Sequence, residues 1–276
     1  MDSYMDTYVI IAAFTLCLLY GFKSFMYIVT TGYNLCVAVQ AVIVLVLYRD
    51  VIMDPANRVH GILLVCHAVI SITYAIRLAS FIIIRSRRAS YNEIEKPHSY
   101  PVPRLYVLLP MLFMCGCIYF FQTSPLLAHA RSIKLHDPIN IPIRVLGLVI
   151  MFTGFLIESI ADAQKSAFKK EHPQLFCSAG IYRMVRMPNY FGEMLFWTGS
   201  LVAGFASKME VPIMVSSVLG VACSVFIMFS AATRLDKKQL ENYGKNPDYL
   251  EYRKKTPVLI PFIPLYSLTS EKPKDE

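Results

Sequence analysis

Apolar residues along this 276-residue chain gather into seven long blocks, near residues 7–22, 26–48, 59–84, 105–122, 141–161, 190–206 and 211–233. These blocks approach or exceed the roughly 18 residues that mark a helix able to cross a bilayer. The pattern predicts an all-α fold: a multi-span integral membrane bundle of about seven transmembrane helices. The first block is short and meets the second through "GFKSFM", so that boundary is soft. The opening "MDSYMDTYVII" has no positively charged leading region and no small-residue cleavage site, and the first block is read as a retained span.

Composition agrees with the pattern. The chain is 55% hydrophobic and 17% charged, with mean hydropathy +0.48, where a soluble domain carries about 25% charged residues. Charge then sets the orientation. With seven spans, one side receives six Lys and Arg, and the other receives twenty, including the run "RSRRASYNEIEKPHSYPVPR", the 162–189 connection and everything after residue 233. The positive-inside bias places the C-terminus in the cytoplasm and the N-terminus on the opposite side. It also accounts for the net charge of +8 through topology and contact with membrane lipids, with no nucleic acid required.

The seven cysteines lie almost wholly within apolar blocks and form no CxxC, and the six histidines stand at no zinc-ligand spacing. No metal site is expected. No GxGxxG loop follows a strand-like run, so a nucleotide would not be held by a Rossmann unit.

Polar groups collect in the second half. In "FLIESIADAQKSAFKK" (155–170), Glu158, Asp162 and Lys165 share one helical face at the end of the fifth span. The alternatives are a salt-bridged helix end in water, or a polar face turned inward toward a ligand. In "GIYRMVRMPNYFGEMLFW" (180–197), Pro188 suits the first turn of a helix, which puts Asn189 and Glu193 on one face. Arg183 and Arg186 precede it at the interface, either as anchors at a span end or as phosphate ligands. Third, the tail 231–265 carries Arg234, Tyr249, Tyr252 and Arg253 ahead of a Pro-bounded apolar run, and reads either as a surface-lying amphipathic segment or as a pocket wall. Arginine, amide, carboxylate and tyrosine side chains at three adjacent span ends suit a polyphosphate nucleotide.

These stretches, with "YGKNPDYLEYRKKTPVLIPF", resemble the steroid 5α-reductase family of membrane enzymes, and more closely its less characterised microbial branch, over about residues 145–265. Where that branch has Arg-His-Pro, this chain has Arg186-Met187-Pro188. The resemblance implies a seven-helix bundle with NADPH in a cytoplasm-facing cavity, reducing a carbon–carbon double bond of a lipid or steroid-like substrate, often conjugated to a ketone. By motif position it implies cofactor contacts from Glu158, Asp162, Arg186, Asn189, Glu193 and Arg234, with Lys165, Arg183, Tyr252 and Arg253 as further candidates. The division expected is residues 1–140 for the hydrophobic substrate and 141–276 for the cofactor, within one membrane domain.

Steroid-reducing relatives hold the substrate carbonyl with a glutamate and a tyrosine of the N-terminal half. Here no glutamate precedes Glu93, leaving Gln40, His67, Tyr74 and Arg77 as polar groups of that half, and Tyr74 is taken as the proton or hydrogen-bond donor. A second family, the isoprenylcysteine carboxyl methyltransferases, which bind S-adenosylmethionine, resembles the same C-terminal region. The Glu158–Lys165 face and the Asn189–Glu193 pair favour the reductase.

Overall fold

The computed structural model describes residues 32–86, 104–208 and 210–268, and every regular element among them is helical. The helices are α1 (Tyr33–Leu47), α2 (Arg49–Met53), α3 (Arg58–Ser86), α4 (Leu105–Lys134), α5 (Ile141–Glu171), α6 (Pro188–Gly204), α7 (Val211–Tyr243) and α8 (Pro247–Lys255). Single 3₁₀ turns occupy Pro55–Asn57 and Gly180–Arg183. Backbone groups in hydrocarbon must be bonded within their own segment, which is why apolar blocks of this length fold as helices.

Four helical stretches, Pro55–Arg85, Leu105–Lys134, Ile141–Glu171 and Val211–Tyr243, are long and apolar enough to cross a membrane. The protein is an integral membrane protein. α1 is a shorter apolar helix, and the 17-residue α6 begins at Pro188 as the sequence predicts. The first apolar block of the sequence and most of the basic 85–104 connector lie outside the described residues.

α4 outruns its apolar block, which ends near residue 122, because its last turns carry Gln122, Thr123, Ser124, His129, Arg131 and Ser132, all buried in protein. Pro125 within it cannot bond the Phe121 carbonyl, and the Ser124 hydroxyl donates to that oxygen instead, at 2.7 Å.

The described chain forms two compact units. One comprises the residues up to Leu148 with Ser200–Val221; the other comprises Val149–Gly199 with the residues from Ala222 onward. In the first, α1 packs on α3 and α4, and its polar interior includes the Gln40 side-chain oxygen accepting from the Thr123 hydroxyl and a Ser124–Ser217 hydroxyl pair at 3.0 Å.

In the second unit α5 and α6 meet backbone to backbone. A Cβ on Gly154 would stand 2.5 Å from the Gly192 carbonyl, and one on Gly192 would stand 2.7 Å from the Glu158 nitrogen. Only glycine at both positions permits this approach, as at close helix crossings in membranes generally. A hydrophobic cluster of Met187, Ala232, Val258 and Leu259 packs the entry of α6 against α7 and the tail.

Candidate functional site

The turn between α5 and α6 is pinned at both ends. Gly180 has φ of +60°, a conformation glycine adopts freely, and the next residue, Ile181, donates its N–H to the Gln164 side chain of α5 at 3.0 Å. At the far end, the Arg186 and Met187 nitrogens donate to the Pro257 and Val258 carbonyls, both at 2.9 Å. The tail is thereby paired as a strap along the start of α6. Met187 is 1% exposed and fills the hydrophobic cluster below the strap. An apolar side chain at this position, where the branch carries histidine, thus serves packing.

Beside Met187, Arg186 is 2% exposed, with both terminal nitrogens bonded within the protein and Nε buried without a hydrogen-bond partner. It donates to Asp236 at 2.7 Å and to the Tyr266 carbonyl at 2.7 Å. Asp236, 0% exposed, accepts in addition from the Leu268 N–H at 3.0 Å and from Arg253 at 3.4 Å. Arg253 also donates to Ser267 at 2.6 Å. One carboxylate therefore joins the α6 entrance, α7, α8 and the strap. Asp236 is not among the residues that the sequence pattern points to. The available signal was its place two residues beyond Arg234, which turns it toward the opposite face of α7.

Next to this cluster is a recess of about 130 Å³ lined by Lys165, Lys169, Tyr182, Arg186, Lys238 and Tyr252, among others. Tyr252 donates to the Tyr182 carbonyl at 2.6 Å, and Tyr182 donates to the Ala161 carbonyl at 3.2 Å. Burial pushes both phenols above the ordinary tyrosine range. The nearby Asp162 charge raises Tyr182 further, while Arg186 partly opposes the rise at Tyr252. Both hydroxyls stay protonated near neutral pH. Phe176 stacks on Tyr252 with ring centroids 5.4 Å apart, and Lys169 donates to the Tyr243 hydroxyl at 2.8 Å.

Of the residues expected at a cofactor site, Lys165, Arg186 and Tyr252 line this recess, and Asp162 and Arg253 act on its walls through Tyr182 and Asp236. Glu158 is 3% exposed, at the Gly154–Gly192 crossing. Asn189 and Glu193 are half-buried one turn apart on α6, whereas Arg183 and Arg234 are exposed. Lys169, Lys238 and Tyr182 were missed. The two lysines were visible only as ordinary charges at helix ends.

In the first unit, Tyr74 is 0% exposed on α3. Arg77 lies over the Phe81 ring at 5.9 Å. Among the described residues, no group of three or more His, Cys, Asp or Glu is arranged to hold a metal ion.

The chain belongs to the family described as "Protein of unknown function (DUF1295)", a steroid 5α-reductase-like family, which it matches over residues 18–256. It is 25% identical over 190 residues to 3-oxo-5-alpha-steroid 4-dehydrogenase 1 of Homo sapiens, covering 68% of this chain and 67% of that protein. Identity and coverage are the same for the protein of that name from Bos taurus. No solved structure matches the chain.

Proposed function

We propose that the protein is a membrane-embedded reductase that uses NADPH to reduce a carbon–carbon double bond, conjugated to a carbonyl, in a lipid or steroid-like substrate. The observation that carries this reading is the recess in which Lys165, Lys169 and Lys238 converge beside two protonated phenols. The distant match to a 3-oxo-steroid 4-dehydrogenase supports the reaction class.

The donor set fits the anionic part of a dinucleotide. Three ammonium groups offer charge-assisted hydrogen bonds to phosphate oxygens, while the Tyr182 and Tyr252 hydroxyls give their single protons to backbone carbonyls. At about 130 Å³ the recess is smaller than the roughly 300–1,000 Å³ of a pocket that encloses a whole drug-sized ligand, so it suits a phosphate group. Lys165, Lys169 and Lys238 would hold the phosphates. Arg186, already held by Asp236, would add its charge from the wall. Asn189 and Glu193 would bond sugar hydroxyls or amide from α6, Glu158 and Asp162 from α5, and the exposed Arg183 and Arg234 would approach from the rim.

NADPH, when bound, supplies hydride. The protein's part is to orient the reactants and to meet the negative charge that builds on the substrate oxygen with a preorganised donor. Tyr74, a buried phenol, is the proposed donor. We further propose that the C-terminus and this recess face the cytoplasm, as the Lys and Arg distribution indicates.

Thermal-shift titration of the purified protein with NADPH and with S-adenosylmethionine tests the reading. NADPH at a hundred times its Kd is expected to stabilise by about 2.7 kcal/mol. K165A/K238A, N189A and E193A are each expected to fold and to bind about ten-fold more weakly or worse. Stabilisation by S-adenosylmethionine alone would overturn the proposal in favour of methyl transfer.

A further inference from the structure

The first unit holds a second polar centre, distinct from the recess and built around Arg144 near the start of α5. Arg144 is 0% exposed. Its guanidinium meets only neutral oxygens: Nε donates to the Ala203 carbonyl at 3.3 Å, and Nη2 donates to the Ser132 and Ser207 hydroxyls, both at 3.1 Å. No carboxylate among the described residues is bonded to it, and Glu210 is taken by Arg131 at 3.0 Å. Nη1 is buried without a hydrogen-bond partner. A guanidinium buried in this way is costly unless a counter-charge completes it.

A second buried group is unsatisfied close by. His129, 0% exposed, stands one turn before Ser132 on α4, and the Ser132 hydroxyl bonds both the His129 carbonyl and Arg144. Its Nδ1 lies 3.2 Å from His67 Nδ1, while His67 Nε2 lies 2.9 Å from the Ser200 hydroxyl, one turn before Ala203 on α6. In the tautomer in which Ser200 donates to His67 Nε2 and His67 Nδ1–H donates to His129 Nδ1, the remaining His129 Nε2 carries a proton, as an acceptor ligand requires. That Nε2 is buried and has no partner.

An open recess adjoins the centre at Ser207. Ser207, bonded to Arg144, lines this recess of about 410 Å³ between residues 138–140 and 205–208, with Lys208 on its wall.

We propose that Arg144 and His129 form a buried binding site for a carboxylate, reached past Ser207. The open Nη1 amino group of the guanidinium and one imidazole N–H match the two oxygens of a carboxylate, and a single negative charge neutralises the single buried cation. A dianionic phosphate would leave a charge uncompensated. The carboxylate can come from a free small acid or from the head of a fatty acid, and the surrounding span surfaces favour neither over the other. The site is independent of the nucleotide recess, so its failure and that of the reductase reading are separable.

The test uses the full chain in neutral detergent. Thermal midpoints are followed against sodium acetate and sodium oleate, with sodium chloride at equal ionic strength as reference, in wild type and R144Q. Wild type is expected to gain stability from at least one carboxylate beyond the chloride control, and R144Q is expected to bind it about ten-fold more weakly or not at all. A response to oleate alone identifies a lipid source, and a response to acetate a free acid. Independently of any variant, a carboxyl-¹³C-labelled ligand should give a bound resonance in wild type that unlabelled ligand displaces. If R144Q fails to fold, that resonance decides. Absence of both stabilisation and bound resonance in wild type, or equal stabilisation of a folded R144Q, overturns the proposal and leaves water as the occupant.

Discussion

Asp236 is the residue on which the second unit turns. Its carboxylate is 0% exposed and carries Arg186, Arg253 and the Leu268 N–H at once. Removing one member of such a buried ion pair leaves an uncompensated charge, which costs about 3–5 kcal/mol. Asp236→Asn is therefore expected to lower stability by that amount in chemical or thermal unfolding, and to loosen the strap after residue 257. Limited proteolysis reads the loosening directly: cleavage near residues 260–268 should quicken. Arg234, two residues earlier on the same helix, is exposed, and Arg234→Gln should leave stability almost unchanged. The contrast separates a structural ion pair from a surface charge in residues of similar sequence context.

At the scale of elements, the α5–α6 crossing determines where the polar faces of both helices lie. Gly154 and Gly192 let the two backbones touch, with Glu158 beside the contact and Asn189 and Glu193 on the same helix as Gly192. Gly192→Ala puts a Cβ 2.7 Å from the Glu158 nitrogen and 2.7 Å from the Gly154 carbonyl, backbone atoms that cannot swing aside. Overpacking of this kind costs about 1–3 kcal/mol. The expected outcome is a lower unfolding midpoint and, on the proposed function, weakened NADPH binding, because the helices must part. A helix-propensity argument alone predicts the opposite sign, since alanine outranks glycine within a helix. Calorimetry on Gly192→Ala distinguishes the two.

At the scale of the whole molecule, alkaline pH should weaken the fold. Tyr182, Tyr249 and Tyr252 are all pushed above the usual tyrosine range, in each case mainly by burial. Unfolded tyrosines release their protons near pH 10, while the folded state still holds these three. Below that pH their contribution is fully present. As pH rises beyond it the unfolded chain binds fewer protons than the folded one, and stability falls. Thermal midpoints should drop above about pH 10, and the part of the phenolate absorbance that Tyr→Phe at these three positions removes should appear in step with unfolding rather than before it.

The sequence by itself determined the class of fold, because length and apolarity dictate helices in lipid whatever their neighbours are. It also placed the start of α6 at Pro188, and located the polar groups of the second half, since those depend on local chemistry. It did not reveal which polar groups meet. Nothing in the spacing shows that Arg186 pairs with Asp236, fifty residues away. Met187 was unexplained until the strap supplied its cluster. Lys169 and Lys238 belong to different helices, and His67, His129 and Arg144 lie on three. Spacing along one helix shows which side chains share a face. Only the packing of helices against one another decides which faces converge, and therefore whether a buried charge is paired within the protein or left open to a ligand.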